Sequence, residues 1–181
     1  MTFDLRLLTK DLNMNELEKF RSEKDDFFRE SRQSPLTDDQ KRDFHGLSYF
    51  PENPALRLEL ALERLTATEP ITLATSTGDE REYYLAGKIR FTVDGQEAVL
   101  QVYEDDYGYF LPFSDATAPA ESYGAGRYLE PHEIRHNVLA VDFNLAYNPY
   151  CAYNERWSCP LPPSANRLRV KIEAGEKKFH E

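Results

Sequence analysis

Basic residues are in short supply: 22 Lys and Arg stand against 32 Asp and Glu, for a net charge of −10 and a pI near 5.0. Proteins that grip nucleic acid need clustered Lys and Arg over the phosphates, so a nucleic-acid partner is not expected. Long apolar runs are missing too. No window approaches the roughly 20 apolar residues of a membrane helix. Met1–Asp11 carries charges where a signal peptide needs an apolar stretch. The expectation is a cytoplasmic protein with no membrane partner. The chain has two cysteines, Cys151 and Cys159, too few for a disulfide scaffold, and a reducing cytoplasm would keep them as thiols. Repeats of solenoid period and low-complexity tracts are absent, which excludes repeat arrays and tails of biased composition.

Aromatic residues, in contrast, are plentiful: 11 Tyr, 11 Phe and one Trp in 181 residues. Such side chains fit a pleated, half-buried surface and lean the chain toward sheet. The length suits a single domain over residues 1–181, with a helical arm at 1–46 and an antiparallel β region at 47–181.

In the arm, Asn13 and Glu16 have the spacing of a capping box. Leu17, Phe20, Phe27 and Phe28 follow near one helical face, which the sheet is expected to cover. Thr37 and Gln40 form a second capping box, opening a short helix that Gly46 can close. From Phe50 the period drops to two. Leu56, Leu58, Leu60 and Leu62 alternate with polar or small residues, and strands are expected at Ile71–Ser76, Glu82–Val93, Ala98–Tyr103, Tyr109–Phe113, Val138–Phe143 and Leu168–Ile172. Asp94-Gly95 is a two-residue hairpin signal. The expected fold is therefore mainly β with an α-helical N-terminal arm (α+β): an antiparallel meander, roll or small barrel of about seven strands.

Two long connections, Thr117–Pro131 and Ala146–Asn166, are too aromatic for disorder and point to function. Asp142, Asn144, Tyr147, Asn148, Tyr153 and Asn154 offer amides and a carboxylate among aromatic rings. Such a set suits a pocket for a small polar ligand, or the internal support of irregular backbone. Gly124, Gly126 and Arg127 allow an anion-holding nest; equally, Arg127 could pair internally with Asp115 or Asp142. Cys151 and Cys159, with seven residues between them, admit four states: packed thiols, a disulfide, a catalytic thiolate at Cys151, or zinc ligands completed by histidines such as the i, i+4 pair His132 and His136. The Pro-rich run at 160–163 reads as a rigid lead-in to the last strand.

Between residues 142 and 176 the chain reads DFNLAYNPYCAYNERWSCPLPPSANRLRVKIEAGE, preceded by Tyr109–Asp115 and by Tyr123-Gly124-Ala125-Gly126-Arg127-Tyr128-Leu129. This series resembles a bacterial and archaeal family known as domain of unknown function 1684, from about the start of the β region to Glu176. The resemblance implies no activity. Ser114 stands where the resemblance leads one to expect a basic residue, so an anion-binding role there does not carry over.

Three functions remain open at this level. The first is binding of a small polar or anionic molecule in a pocket walled by Tyr109–Asp115, Tyr123–Leu129 and Asp142–Cys159. This pocket would suit cofactor-independent hydrolysis, with Asp142 and Cys151 as catalytic candidates and Asp115, Arg127, Asn144, Tyr147, Asn148, Tyr153 and Asn154 as ligand contacts. The second is a protein–protein interaction module, as monomer or homodimer, anchored by Tyr150, Arg156 and Trp157. The third is the zinc site. The residues name no cofactor and do not decide whether the protein is an enzyme.

Overall fold

The structure, a computed structural model, describes residues 14–66 and 70–180. Helix α1 spans Met14–Glu30 and α2 spans Asp38–Arg42. The strands are β1 Arg57–Ala61, β2 Glu63–Arg64, β3 Pro70–Ala74, β4 Glu80–Val93, β5 Gln96–Asp105, β6 Gly108–Phe113, β7 Arg127–Leu129, β8 His132–Arg135 and β9 Val138–Asp142. Every strand pairing is antiparallel. One sheet runs β1-β9-β8. The other runs β2-β4-β5-β6-β7, with β3 also on β4. The fold is thus mainly antiparallel β with helices at its N-terminal end, as expected from the aromatic and β-branched composition.

The hairpin at Asp94-Gly95 forms as read. Val93 pairs with Gln96, and both turn residues have positive φ (49° and 76°), which Asp tolerates and Gly favours. Along β4 and β5 alternate residues face inward. Ile89, Phe91, Leu100 and Val102 join Leu111, Phe113, Leu139, Val141 and Phe143 in one core. Tight packing against this core fixes the ends of β6 and β9, from which the site-bearing segments depart.

The arm differs from expectation in its partner. Leu17, Phe20 and Phe28 are buried, but Phe28 packs on Ala152 and Tyr153 of the Tyr-rich segment, with the rings of Phe28 and Tyr153 edge to face at 4.9 Å. The Thr37 capping box is formed: Thr37 Oγ1 accepts from Gln40 N–H, and Gln40 Oε1 accepts from Thr37 N–H. The helix ends at Asp43, three residues before Gly46. The Asn13 box lies outside the described residues.

Two strand assignments change. Residues 168–172 form no strand. Leu168 N–H bonds Ser114 O, Ala116 N–H bonds Val170 O, and Ile172 N–H goes to the Asp115 carboxylate, so side-chain capture interrupts the ladder. In the opposite sense, β7 arises inside the Thr117–Pro131 stretch read as loop, and β8 follows it at His132–Arg135, where no strand was expected. His132 therefore lies on a strand and His136 in the turn before Asn137 (φ 54°), so the two do not share a helix face.

Candidate functional site

Arg127 opens β7 and is 1% exposed. Its Nη2 donates to Asp115 Oδ1 at 3.0 Å and to Ile172 O at 2.9 Å. Its Nη1 donates to Glu176 O at 3.0 Å and to Ala174 O. Phe50 and Phe113 sandwich the guanidinium. Asp115 Oδ2 accepts from Thr117 N–H and O–H and from Ile172 N–H. This is an internal clamp that ties β6, β7 and the 172–176 segment together. Both terminal nitrogens of the fork are occupied by protein oxygens, and Nε is buried without a partner among the described residues. Of the two roles open to Arg127, pairing with Asp115 is the one realised.

Gly126 serves the same clamp. Its φ of 101° is left-handed, and a Cβ there would sit 2.6 Å from Phe113 O and from Pro162 Cγ. Gly126→Ala is therefore expected to destabilise the fold by more than about 1 kcal/mol, read as a lowered urea midpoint.

Asp142 and Asn144 form a second structural unit. Asp142 Oδ2 accepts from Arg57 Nε at 2.9 Å. Its Oδ1 caps the short 3-10 turn Phe143–Leu145 by accepting from Asn144 N–H and Nδ2. Asn144 in turn holds both backbone groups of Asn53. Among the described residues no bond links Asp142 to the cysteines, and its two oxygens are committed. A general-base role in hydrolysis has no geometric support.

The third unit had no signal in the sequence. Glu176 is 1% exposed, and Lys24 of α1 reaches it across 152 positions in a buried ion pair. The other carboxylate oxygen, Oε2, accepts from Tyr153 O–H at 2.6 Å and from Asn148 N–H at 2.8 Å. Burial and the Glu176 charge push the Tyr153 phenol well up, so it stays a donor. Asn148 Nδ2 bonds Lys177 O, Tyr147 O–H bonds Glu130, and Lys24 Nζ lies over the Tyr147 ring. Asn154 Oδ1 accepts from Arg156 N–H in a local turn. Tyr147, Asn148, Tyr153 and Asn154 thus support the backbone and the docking of α1.

What remains is the pair of thiols. Both are free and 7% exposed. Cys151 sits on the 3-10 turn Tyr150–Ala152, and its N–H points at Cys159 Sγ, 3.3 Å away. Tyr123 O–H points at Cys151 Sγ at 3.8 Å. Ser76 fastens the other side: Cys159 N–H donates to its Oγ, which donates on to Trp157 O. Tyr123, Tyr128, Tyr147, Tyr150, Trp157 and Phe110 pack around the two sulfurs. Hydrogen bonding by Cys159 and Tyr123 outweighs burial at Cys151 and lowers its pKa to about 6. Cys159, which gives its proton to that bond and is desolvated, is pushed up. Tyr123 is held protonated by burial and by the neighbouring sulfurs. Tyr123 and Ser76 were not named as thiol partners in the sequence; nothing but their later proximity marks them.

Trp157 is half-buried. Its ring meets Tyr150 edge to face at 5.2 Å, and the Arg156 guanidinium covers it. Among the described residues no group of three or more His, Cys, Asp or Glu is placed to hold a metal ion, and no helix is long and apolar enough to cross a membrane. A surface pocket of about 210 Å³ lies elsewhere, lined by Tyr107, Tyr109, Glu130, His132 and Glu133; it takes in His132 and the first residue of the Tyr109–Asp115 wall, but none of the catalytic or ligand-contact candidates.

Comparison with known proteins adds a family and no activity. No curated protein matches. An uncharacterised protein of Haloarcula marismortui, solved by NMR in solution, is 36% identical with a TM-score of 0.70, over 92% of this chain and 95% of that one. The family described as "Protein of unknown function (DUF1684)" matches residues 42–177. That span holds the clamp, the capped turn and both cysteines, and the chain belongs to this family.

Proposed function

We propose that this protein acts on a small electrophilic molecule through Cys151, as the nucleophilic thiolate of a Cys151–Cys159 pair. The observation that carries this reading is the meeting of two free, buried cysteines, with the Cys151 N–H on Cys159 Sγ and the Tyr123 hydroxyl directed at Cys151 Sγ. A thiolate needs donors or positive charge to persist at neutral pH, and the thiolate is the nucleophile. Tyr123, Tyr150 and Trp157 are the walls against which the ligand would rest. The other candidates, Asp115, Arg127, Asp142, Asn144, Tyr147, Asn148, Tyr153 and Asn154, hold the frame that fixes this wall. The chemistry draws only on side chains of this chain. The helical arm at 1–46 and the β region at 47–181 work as one unit, since α1 packs on the turn that follows Cys151. A cytoplasmic setting, as monomer or homodimer, keeps both thiols reduced.

The test is site-resolved alkylation of the native protein. With iodoacetamide at pH 6, Cys151 is expected to react about tenfold faster than an ordinary thiol, because its larger thiolate fraction outweighs its lower intrinsic nucleophilicity. Peptide mapping should find the label at Cys151 before Cys159. Labelling of Cys159 first, or of neither residue until the protein is unfolded, overturns the proposal.

A further inference from the structure

Resting on the reading of Cys151 as the nucleophile, we infer that the substrate is a small hydroperoxide, reduced at Cys151 with Cys159 as the resolving thiol. Three observations carry this. First, the second sulfur is not a bystander. Cys159 Sγ accepts from the backbone N–H of Cys151, and its own backbone is fastened by Ser76, which holds this sulfur against the residue that carries the nucleophile. Nucleophilic attack on a carbonyl needs no second thiol. A reaction that ends in a disulfide does. Second, access is narrow. Both residues are 7% exposed and walled by aromatic rings, which disfavours a reaction partner as large as a protein disulfide. Third, a protonated donor already points at the reacting sulfur, the Tyr123 hydroxyl.

The steps balance without any resident cofactor. The Cys151 thiolate attacks the terminal oxygen of the hydroperoxide, ROOH. The O–O bond breaks, Cys151 becomes a sulfenic acid, and the alkoxide leaves as an alcohol after taking the Tyr123 proton, which solvent replaces. Cys159 then attacks the sulfenyl sulfur. The S–S bond forms, the S–O bond breaks, and hydroxide leaves as water with the Cys159 proton. A low-molecular-weight dithiol returns two electrons and two protons and restores both thiols.

The experiment adds one equivalent of hydrogen peroxide to the reduced full chain and follows intact mass. The expected product is the chain lighter by two hydrogens, with Cys151 and Cys159 joined in the peptide map and restored by dithiothreitol. Cys159→Ser is expected to stop at the sulfenic acid, captured as a dimedone adduct on Cys151. If that variant does not fold, rapid quenching of the wild-type chain into dimedone should capture the same intermediate. Two failures are distinct. If Cys151 alkylates as described but peroxide gives no disulfide, or gives sulfinic acid instead, the peroxide inference is overturned and the nucleophile stands. If Cys151 does not alkylate either, both fall.

Discussion

Arg127→Met should destabilise the protein by about 3–5 kcal/mol, the range for removing one partner of a buried ion pair. The substitution leaves the Asp115 carboxylate at 5% exposure without its counter-charge, and it strips donors from the carbonyls of Ile172, Ala174 and Glu176. Each orphaned acceptor adds the desolvation penalty of an unmet hydrogen bond. Methionine keeps the packing between Phe50 and Phe113, so the loss reports polar pairing rather than a cavity. Pairing it with Asp115→Asn should recover part of the loss, because the uncompensated charge is then gone. Urea denaturation measures both variants. A cost below about 1 kcal/mol for the single variant would mean that Arg127 is solvated and available, as a ligand contact would require.

Lys24→Met should have an effect of the same size, but local in form. Lys24 is the cation that meets Glu176 beneath α1, and its ammonium lies over the rings of Phe28 and Tyr147. Without it, the buried carboxylate keeps, among the described residues, Tyr153 O–H and Asn148 N–H. We expect a loss of about 3–5 kcal/mol, from the cost of breaking a buried pair. It should be seen first as faster amide exchange over residues 17–30, with strands β4 and β5 less affected. Uniform protection in wild type and variant would show that α1 docks through its apolar face alone.

These two side chains show what a sequence carries and what it withholds. The hairpin at Asp94-Gly95, the Thr37 capping box and the alternation in β1, β4 and β5 are local signals, and each forms where its residues stand. Arg127 is different. Beside two glycines it has the look of an anion nest, and only the arrival of Asp115 and of carbonyls 45 to 49 positions away turns it into a clamp. Lys24 reads as one more charge on a solvated helix face, because Glu176 lies far along the chain. Residues 168–172 have the composition of a strand, yet Asp115 takes the Ile172 amide that a ladder would use. At the site itself, the cysteine spacing left four chemistries open. Tyr123 and Ser76 narrow the choice, and both reach the thiols from other segments of the chain.

The most direct test of the central claim is the pH profile of alkylation at Cys151. Its lowered pKa means that the thiolate is present above about pH 6 and lost below it. The rate should therefore rise with a midpoint near pH 6 and level off by neutral pH. Tyr123→Phe, which removes a donor to the sulfur, should move that midpoint upward. A midpoint at the ordinary cysteine value of about 8.5, unmoved by Tyr123→Phe, would contradict the account and make the two sulfurs packing alone.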